Sequence, residues 1–533
     1  MKFVSDPPIS AKIRKMKQRV RWRDPLIVEQ GIDQTRMVLD IDDSDKPEFS
    51  FLVVGDSGAG LHGGYNAQRQ IAELMMLQRD TSDLVLHTGD VIYLVGSNEY
   101  YQKNFISPYR EFLVGGEEYE KIAYDQMVFN MPFLLVPGNH DYYDLPWLFS
   151  MMAGTTLPLR RLLSSKIDFD IGWQGSGQGR VYAQAFLDYL KALNSKEEFA
   201  RHVDQHYTAK TSTGRCLLYE PGRFTRLPNR YYTFRFGGID FFALDTNTFN
   251  APSPLPATKE GDIIRRQLWK RRDELDRSEQ EILDACTQLN PDQPDEADIL
   301  DDHRAKLQHI EETKLDIEKQ LVADKKIVTD FEQLDWLKER LIESWHTKQV
   351  RGRVLYFHHP PYVTEATKWD QAQTMEVRYH LRRVLNAVAE EVGELAQGRP
   401  LVDLVLSGHA HCLEHLQTGD TGHADSHIHW IVCGGSGYSL RRQRGEGPDL
   451  MEFVRDNEGD RQRGTDKADR LRQVARSLLF VGRHGHGVKK RRPYSFIRID
   501  VKAGCPPRFV VRPFIAERFG REWNNSHLEP FVI

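Results

Sequence analysis

Five short apolar runs in this chain each stop on residues that bind metals. They read FLVVGDSG, ending on Asp56; LVLHTGDVIY, on Asp90 and Tyr93; FLLVPGNHD, on Asn139, His140 and Asp141; VLYFHHPP, on His358 and His359; and LVLSGHAH, on His409 and His411. A short run of branched apolar residues halted by a glycine-containing turn predicts a buried strand of an α/β sheet. Ligands of such sheets bind just beyond the carboxyl ends of the strands. Five ends carrying carboxylate, amide and imidazole donors therefore point at one place.

The chain has 533 residues, enough for one large domain with insertions or for two to three domains. Residues 1–48 read as a polar N-terminal arm, with seven Lys/Arg between Lys12 and Arg23, expected to lie solvated over its own domain. Residues 49–257 form the first part of the core, within which 145–230 loosen into a wall or lid leaving directly from the GNHD turn. The strand pair RYYTFRFG and IDFFALDT predicts a hairpin about Gly237–Gly238. In 258–329, Leu268, Leu275, Ile282 and Leu289 recur every seven residues. Leu300, His303, Leu307, Ile310, Lys314, Ile317 and Leu321 step by threes and fours. That spacing, broken by NPDQPDEAD, predicts an inserted antiparallel helical hairpin, a protruding structural insertion more than a partner-binding arm. Residues 330–440 resume the core. Residues 441–494 read as a charged surface excursion with one short helix, and the strands within 495–533 close the second sheet.

A net charge of −5 and a pI near 6.5 give no basic bias, so an obligatory nucleic-acid partner is not expected. No run of about 18 apolar residues marks a transmembrane span. The opening MKFVSDPPIS lacks the apolar stretch of a signal peptide. Five scattered cysteines without CxxC spacing fit reduced thiols, and a cytoplasmic location is the expectation.

The set GD-x-G, GD-x-x-Y, GNHD, a strand-terminal His before Pro, and GH-x-H resembles the calcineurin-like metallophosphoesterase superfamily. Within it, the pattern is most similar to the purple acid phosphatases. The motifs run in the family's order from about Phe51 to Tyr438. The resemblance implies an α/β sandwich of two mixed sheets flanked by helices, and two metals bridged by Asp90. One metal would take Asp56, Asp90, Tyr93 and His411; the other would take Asp90, Asn139, His358 and His409. A water between them would become the hydroxide that attacks phosphorus. The family gives the residue equivalent to His140 the role of protonating the leaving group, with Asp141 orienting it.

One departure from the superfamily pattern bears on the metals. Most members carry D-x-H in the first motif, where this chain has Asp56-Ser57-Gly58; Tyr93 supplies a replacement ligand. A phenol of ordinary pKa near 10 binds as phenolate only to a strongly acidic ion. Asp56, Asp90, phenolate and hydroxide together carry four negative charges, which two divalent ions would only cancel. Fe(III) with Zn, Fe or Mn(II) is therefore expected, with an unligated Tyr93 and two divalent ions as the alternative.

His359 reads as a neighbour of the ligands or a substrate contact. His62, His87 and His415 read as structural, and His484 and His486 as solvent-facing. Asp245 fits either a turn cap or a group beside the ligands, and Gly434–Gly437 either a phosphate approach or a tight turn. The expected activity is hydrolysis of a small phosphomonoester. Phosphodiester or nucleotide hydrolysis at the same centre is the near alternative, and a non-catalytic scaffold docking partners through the hairpin a more distant one.

Overall fold

A computed structural model of the chain describes residues 4–42, 44–60, 65–145, 174–290, 293–323, 328–454, 470–485, 489–520 and 522–533. His62, His486 and residues 146–173 of the expected lid lie outside the described residues.

The strands in chain order begin with β1 (Ile32–Leu39), β2 (Phe49–Val54), β3 (Leu84–His87) and β4 (Phe133–Leu135). β5 (Ala209–Thr211), β6 (Gly214–Tyr219), β7 (Tyr232–Phe236) and β8 (Ile239–Ala243) follow. Next come β9 (Gly352–Tyr356), β10 (Leu404–Ser407), β11 (Leu413–Thr418) and β12 (His429–Cys433). The last are β13 (Asp449–Val454), β14 (Arg470–Val481), β15 (Arg492–Lys502), β16 (Arg508–Phe519), β17 (Glu522–His527) and β18 (Phe531–Val532).

They form two mixed sheets. One has the order β13-β14-β11-β12-β10-β9-β8-β7-β1-β6-β5; the other has β17-β16-β15-β2-β3-β4, with β18 on β16. The inner faces meet through aromatic rings: Phe49 lies 4.9 Å from Phe236 and Phe51 lies 5.6 Å from Phe241, both edge-on. β2, β3 and β4 are parallel, as are β8, β9 and β10. Their residues are buried on both faces, which explains the unbroken apolar runs. β7 and β8 pair through a two-residue turn in which Gly237 and Gly238 both have positive φ, 55° and 73°.

The first 48 residues do more than lie over the domain. Helix α1 (Ile9–Arg19) buries Lys12, Met16 and Arg19, and β1 enters the larger sheet between β7 and β6, parallel to both. The run of positive charges hid this, because the buried cations are individually satisfied: Arg19 donates to the carbonyls of Gly177 and Gln178 at 2.7 Å. Residues 441–494 differ similarly. β13 and β14 form an antiparallel hairpin that extends the larger sheet, and no α-helix occurs there among the described residues. Arginines on the solvent face of an outer hairpin masked its alternation, with Val474 and Ala475 buried and Leu471 and Leu478 exposed.

Helix α2 (Ala67–Arg79) covers the smaller sheet. The hairpin helices are α3 (Lys259–Thr287) and α4 (Pro294–Val322), which bury Leu275 against Ile310 and Ile317 along the expected seam. Helices α5 (Phe331–His346) and α6 (Ala372–Val392) cover the outer face of the larger sheet through Leu337, Leu341, Val377 and Leu385.

Candidate metal centre

The two sheets deliver their chemistry at one edge. Asp56 follows β2, Asp90 and Tyr93 follow β3, and Asn139 and His140 follow β4. His358 follows β9, while His409 and His411 lie between β10 and β11. All eight side chains are buried. Three of these residues have backbones in the left-handed region: Asp56 at φ 54°, Asp90 at 54° and His409 at 65°. Non-glycine residues avoid that region unless the surroundings impose it. Glycines let the turns close up. A Cβ on Gly138 would lie 2.1 Å from Oδ1 of Asp90, and one on Gly408 would lie 2.5 Å from Oδ2 of Asp56.

The Tyr93 hydroxyl lies 2.9 Å from Oδ1 of Asp56, 2.9 Å from Oδ2 of Asp90 and 3.2 Å from Nε2 of His411. His358 Nε2 lies 3.2 Å from that same Asp90 oxygen and 2.9 Å from Oδ1 of Asn139. The His409 ring sits 5.0 Å from that of His358. Asp90 thus presents one oxygen, Oδ2, between two donor groups; Oδ1 accepts the backbone N–H of His140 at 2.9 Å.

Each imidazole is oriented through its other nitrogen. His358 Nδ1 bonds the carbonyl of Thr88 at 2.9 Å, and His411 Nδ1 that of Ser439 at 3.0 Å. The amide of Gln373, on α6, reaches His409 Nε2 at 3.0 Å, leaving Nδ1 of that ring for a cation.

The electrostatics suit cations. Burial drives the Asp56 carboxyl well above the usual carboxylate range, with the charge of Asp90 adding to it. Burial also keeps His409 and His411 neutral, with His411 held down at about 3, and a neutral imidazole is the form that binds metal. Burial opposes ionisation of Asp90 too, yet His358 and His140 hold it below the carboxylate range. Tyr93 is pushed far above an ordinary phenol by burial and the two carboxylates, so only a strong Lewis acid would deprotonate it. Two carboxylates, a phenol, an amide oxygen and three imidazoles are the donor set of a site for borderline and hard cations.

Asp141 does not orient His140. Its carboxylate accepts the N–H groups of Gly138 at 2.8 Å and Val91 at 3.1 Å, bracing the two turns against each other. Nδ1 of His140 instead bonds the carbonyl of Leu94 at 2.5 Å, and its Nε2 lies 3.9 Å from Asp90 Oδ2.

His359 lies close enough to His358 and His409 to share an ion with them. Both its ring nitrogens are already held, by Thr246 at 2.7 Å and Asn250 at 3.2 Å, which favours a bracing role. His87 bonds Ser57, His415 bonds His429, and His484 bonds the Gly482 carbonyl. Asp245 caps the turn at Thr246–Thr248 and accepts from Tyr142 and Arg230. The Gly434–Gly437 turn packs on the first motif, where a Cβ on Gly437 would lie 2.3 Å from the Ser57 carbonyl oxygen.

Sequence reasoning missed Tyr438, stacked on Tyr93 at 3.8 Å between centroids, and Gln373. Tyr438 was signalled only by its closeness to the GGSG turn, and Gln373 by nothing local.

Residues 49–413 match the family model of the calcineurin-like phosphoesterases. The chain belongs to that family. No curated protein matches its sequence significantly. Similar solved structures include GAP50, the anchor in the inner membrane complex of Plasmodium, at 12% identity and TM-score 0.37, with 91% of this chain and 89% of that one covered. A purple acid phosphatase from yellow lupin (Lupinus luteus) seeds is similar at 11% identity and TM-score 0.37, with 92% of this chain and 54% of that one covered. PhoD is similar at 14% and 0.36, with 92% and 70% covered. These likenesses are too distant to carry a function. Among the described residues, no helix of this calcineurin-like phosphoesterase is long and apolar enough to cross a membrane.

Proposed function

We propose that this phosphoesterase hydrolyses phosphomonoesters at a centre of two metal ions. The supporting observation is Oδ2 of Asp90, 2.9 Å from the Tyr93 hydroxyl and 3.2 Å from His358 Nε2, standing between two sets of donors. Asp56, Tyr93 and His411 would hold one ion and Asn139, His358 and His409 the other, with Asp90 shared. The pair, when bound, supplies Lewis acidity for the phosphoryl oxygens and a water acidic enough to attack near neutral pH. The Tyr93 phenol favours Fe(III) at the first position, with Zn, Fe or Mn(II) at the second.

His140 serves as the general acid. The Leu94 carbonyl fixes the ring through Nδ1, and Nε2 faces the Asp90 oxygen, on the side where an ester would bind. As the bond from phosphorus to the leaving oxygen breaks, Nε2 hands that oxygen a proton. Tyr438 and Tyr143 flank this region, the first stacked on Tyr93 and the second with its ring 5.0 Å from that of His140, and both shield it from bulk water.

Metal analysis of the purified chain, with an assay against an aryl phosphate and its bis-ester, tests the reading. Two ions per chain and faster turnover of the monoester are expected. Faster turnover of the bis-ester would make the chain a diesterase, and turnover of neither with both ions in place would leave a scaffold.

A further inference from the structure

Helix α4 of the hairpin does not stand away from the domain; it lies across the mouth of the centre. Asp316 on α4 accepts the N–H groups of Ala372 at 3.2 Å and Gln373 at 3.3 Å, at the start of the helix that reaches His409. Lys319 pairs with Asp6 at 2.7 Å. Leu315 packs with Val4, Val95 and Tyr143, beside the turns that carry Tyr93 and His140.

Between these anchors Glu312 points inward. Its carboxylate meets the Lys368 ammonium at 2.5 Å, with Lys368 2% and Glu312 11% exposed. Arg441 and the rings of His411 and His140 also act on its charge, and His309 and Tyr143 lie within its reach. Arg441 belongs to the centre's wall, since its backbone N–H donates to the carbonyl of His411 at 2.9 Å. The charge of Lys368 reaches both His409 and His411. One carboxylate, borne by an insertion, therefore sits where two cationic side chains and two site imidazoles converge. A pair this buried is costly to leave half-made, so whatever displaces Glu312 must bring its own negative charge to Lys368.

We propose that Lys368 and Arg441 form an anion subsite for the phosphate of the substrate, and that Glu312 occupies it as a tethered stand-in while the hairpin is closed. The proposal rests on the phosphoester reading. Phosphate and Glu312 compete for the same two cations, and turnover requires α4 to lift.

The test uses the full, metal-loaded chain with inorganic phosphate as probe. Calorimetric titration of wild type, Glu312→Gln and Lys368→Met is paired with amide hydrogen exchange over Pro294–Val322. Glu312→Gln is expected to tighten phosphate binding and lower KM, each about tenfold, because the competitor loses its charge. Lys368→Met weakens phosphate by at least about tenfold with metal content unchanged. Saturating phosphate speeds exchange along α4. Equal affinity of Glu312→Gln and wild type, or exchange in α4 unmoved by phosphate, overturns the stand-in while hydrolysis continues. A wild type that holds both metals, binds no phosphate and hydrolyses no ester overturns the phosphoester reading itself.

Discussion

The backbone N–H of His140 donates to Oδ1 of Asp90 at 2.9 Å, while Oδ2 of the same carboxylate faces Tyr93 and His358. The two oxygens of Asp90 thus have separate duties. One accepts from the turn that carries His140, the proposed proton donor, and the other faces the residues that would hold the cations.

Replacing the proposed acid separates its role from metal binding. His140→Asn is expected to lower kcat on an alkyl phosphate by about 10²–10⁴-fold. The loss on an aryl phosphate, whose leaving oxygen needs little protonation, is smaller. Metal content stays at the wild-type level. Equal losses on both esters would remove His140 from the proton-donor role.

Tyr93 would report a metal bound at the first position. The iron-loaded wild type should absorb visible light through phenolate-to-iron charge transfer, and Tyr93→Phe should abolish that band. A colourless, iron-free and fully active wild type would refute the ferric assignment and leave the hydrolase standing with two divalent ions.

Gln373 orients His409 from a helix of its own. Gln373→Leu is expected to weaken metal binding about 10–100-fold, the usual effect of removing a partner that holds a ligand imidazole. Competition with a chelator measures it. Unchanged affinity would mean that the strand turn alone fixes His409.

Glu343 ties β1 to α5 by accepting from Arg36 at 2.7 Å, Arg340 at 2.8 Å and Ser212 at 2.6 Å. Burial raises its pKa, but Ser212, Arg340 and Arg36 outweigh that and hold it at about 2, against an ordinary 4.5. A carboxyl more acidic in the folded state adds stability that is whole above about pH 4.5 and is lost as pH falls through 2. Because Glu343 is 30% exposed, solvent screening reduces the effect. Glu343→Gln should cost about 1–2 kcal/mol at pH 7. Denaturant unfolding at pH 7 and pH 3 should show the gap narrowing in acid; a constant gap would assign the loss to packing.

The strands that carry the centre were legible because β2, β3, β9 and β10 are buried on both faces, and such strands write themselves as continuous apolar runs. The ligand-type residues were legible for the same reason, since each sits at a strand end. The helical hairpin was legible in the spacing of Leu275, Ile310 and Ile317, but not its placement, which depends on single polar contacts such as Asp316 with Gln373. Neither β1 nor the hairpin of β13 and β14 was recognised. In β1 the polar run Asp33–Arg36, and in β14 Arg472, Gln473 and Arg476, interrupt the apolar alternation. Asp141 was misassigned because adjacency in GNHD says nothing of direction. Successive residues in a turn diverge, and its carboxylate points back at Val91.

The positive φ angles at Asp56, Asp90 and His409 have a consequence for anyone who alters this molecule. Each position charges the folded state about 1–2 kcal/mol for wearing a side chain where glycine would sit at ease. A selection for heat resistance alone would be drawn to those three codons. It would return a tougher protein stripped of three of its seven proposed cation donors.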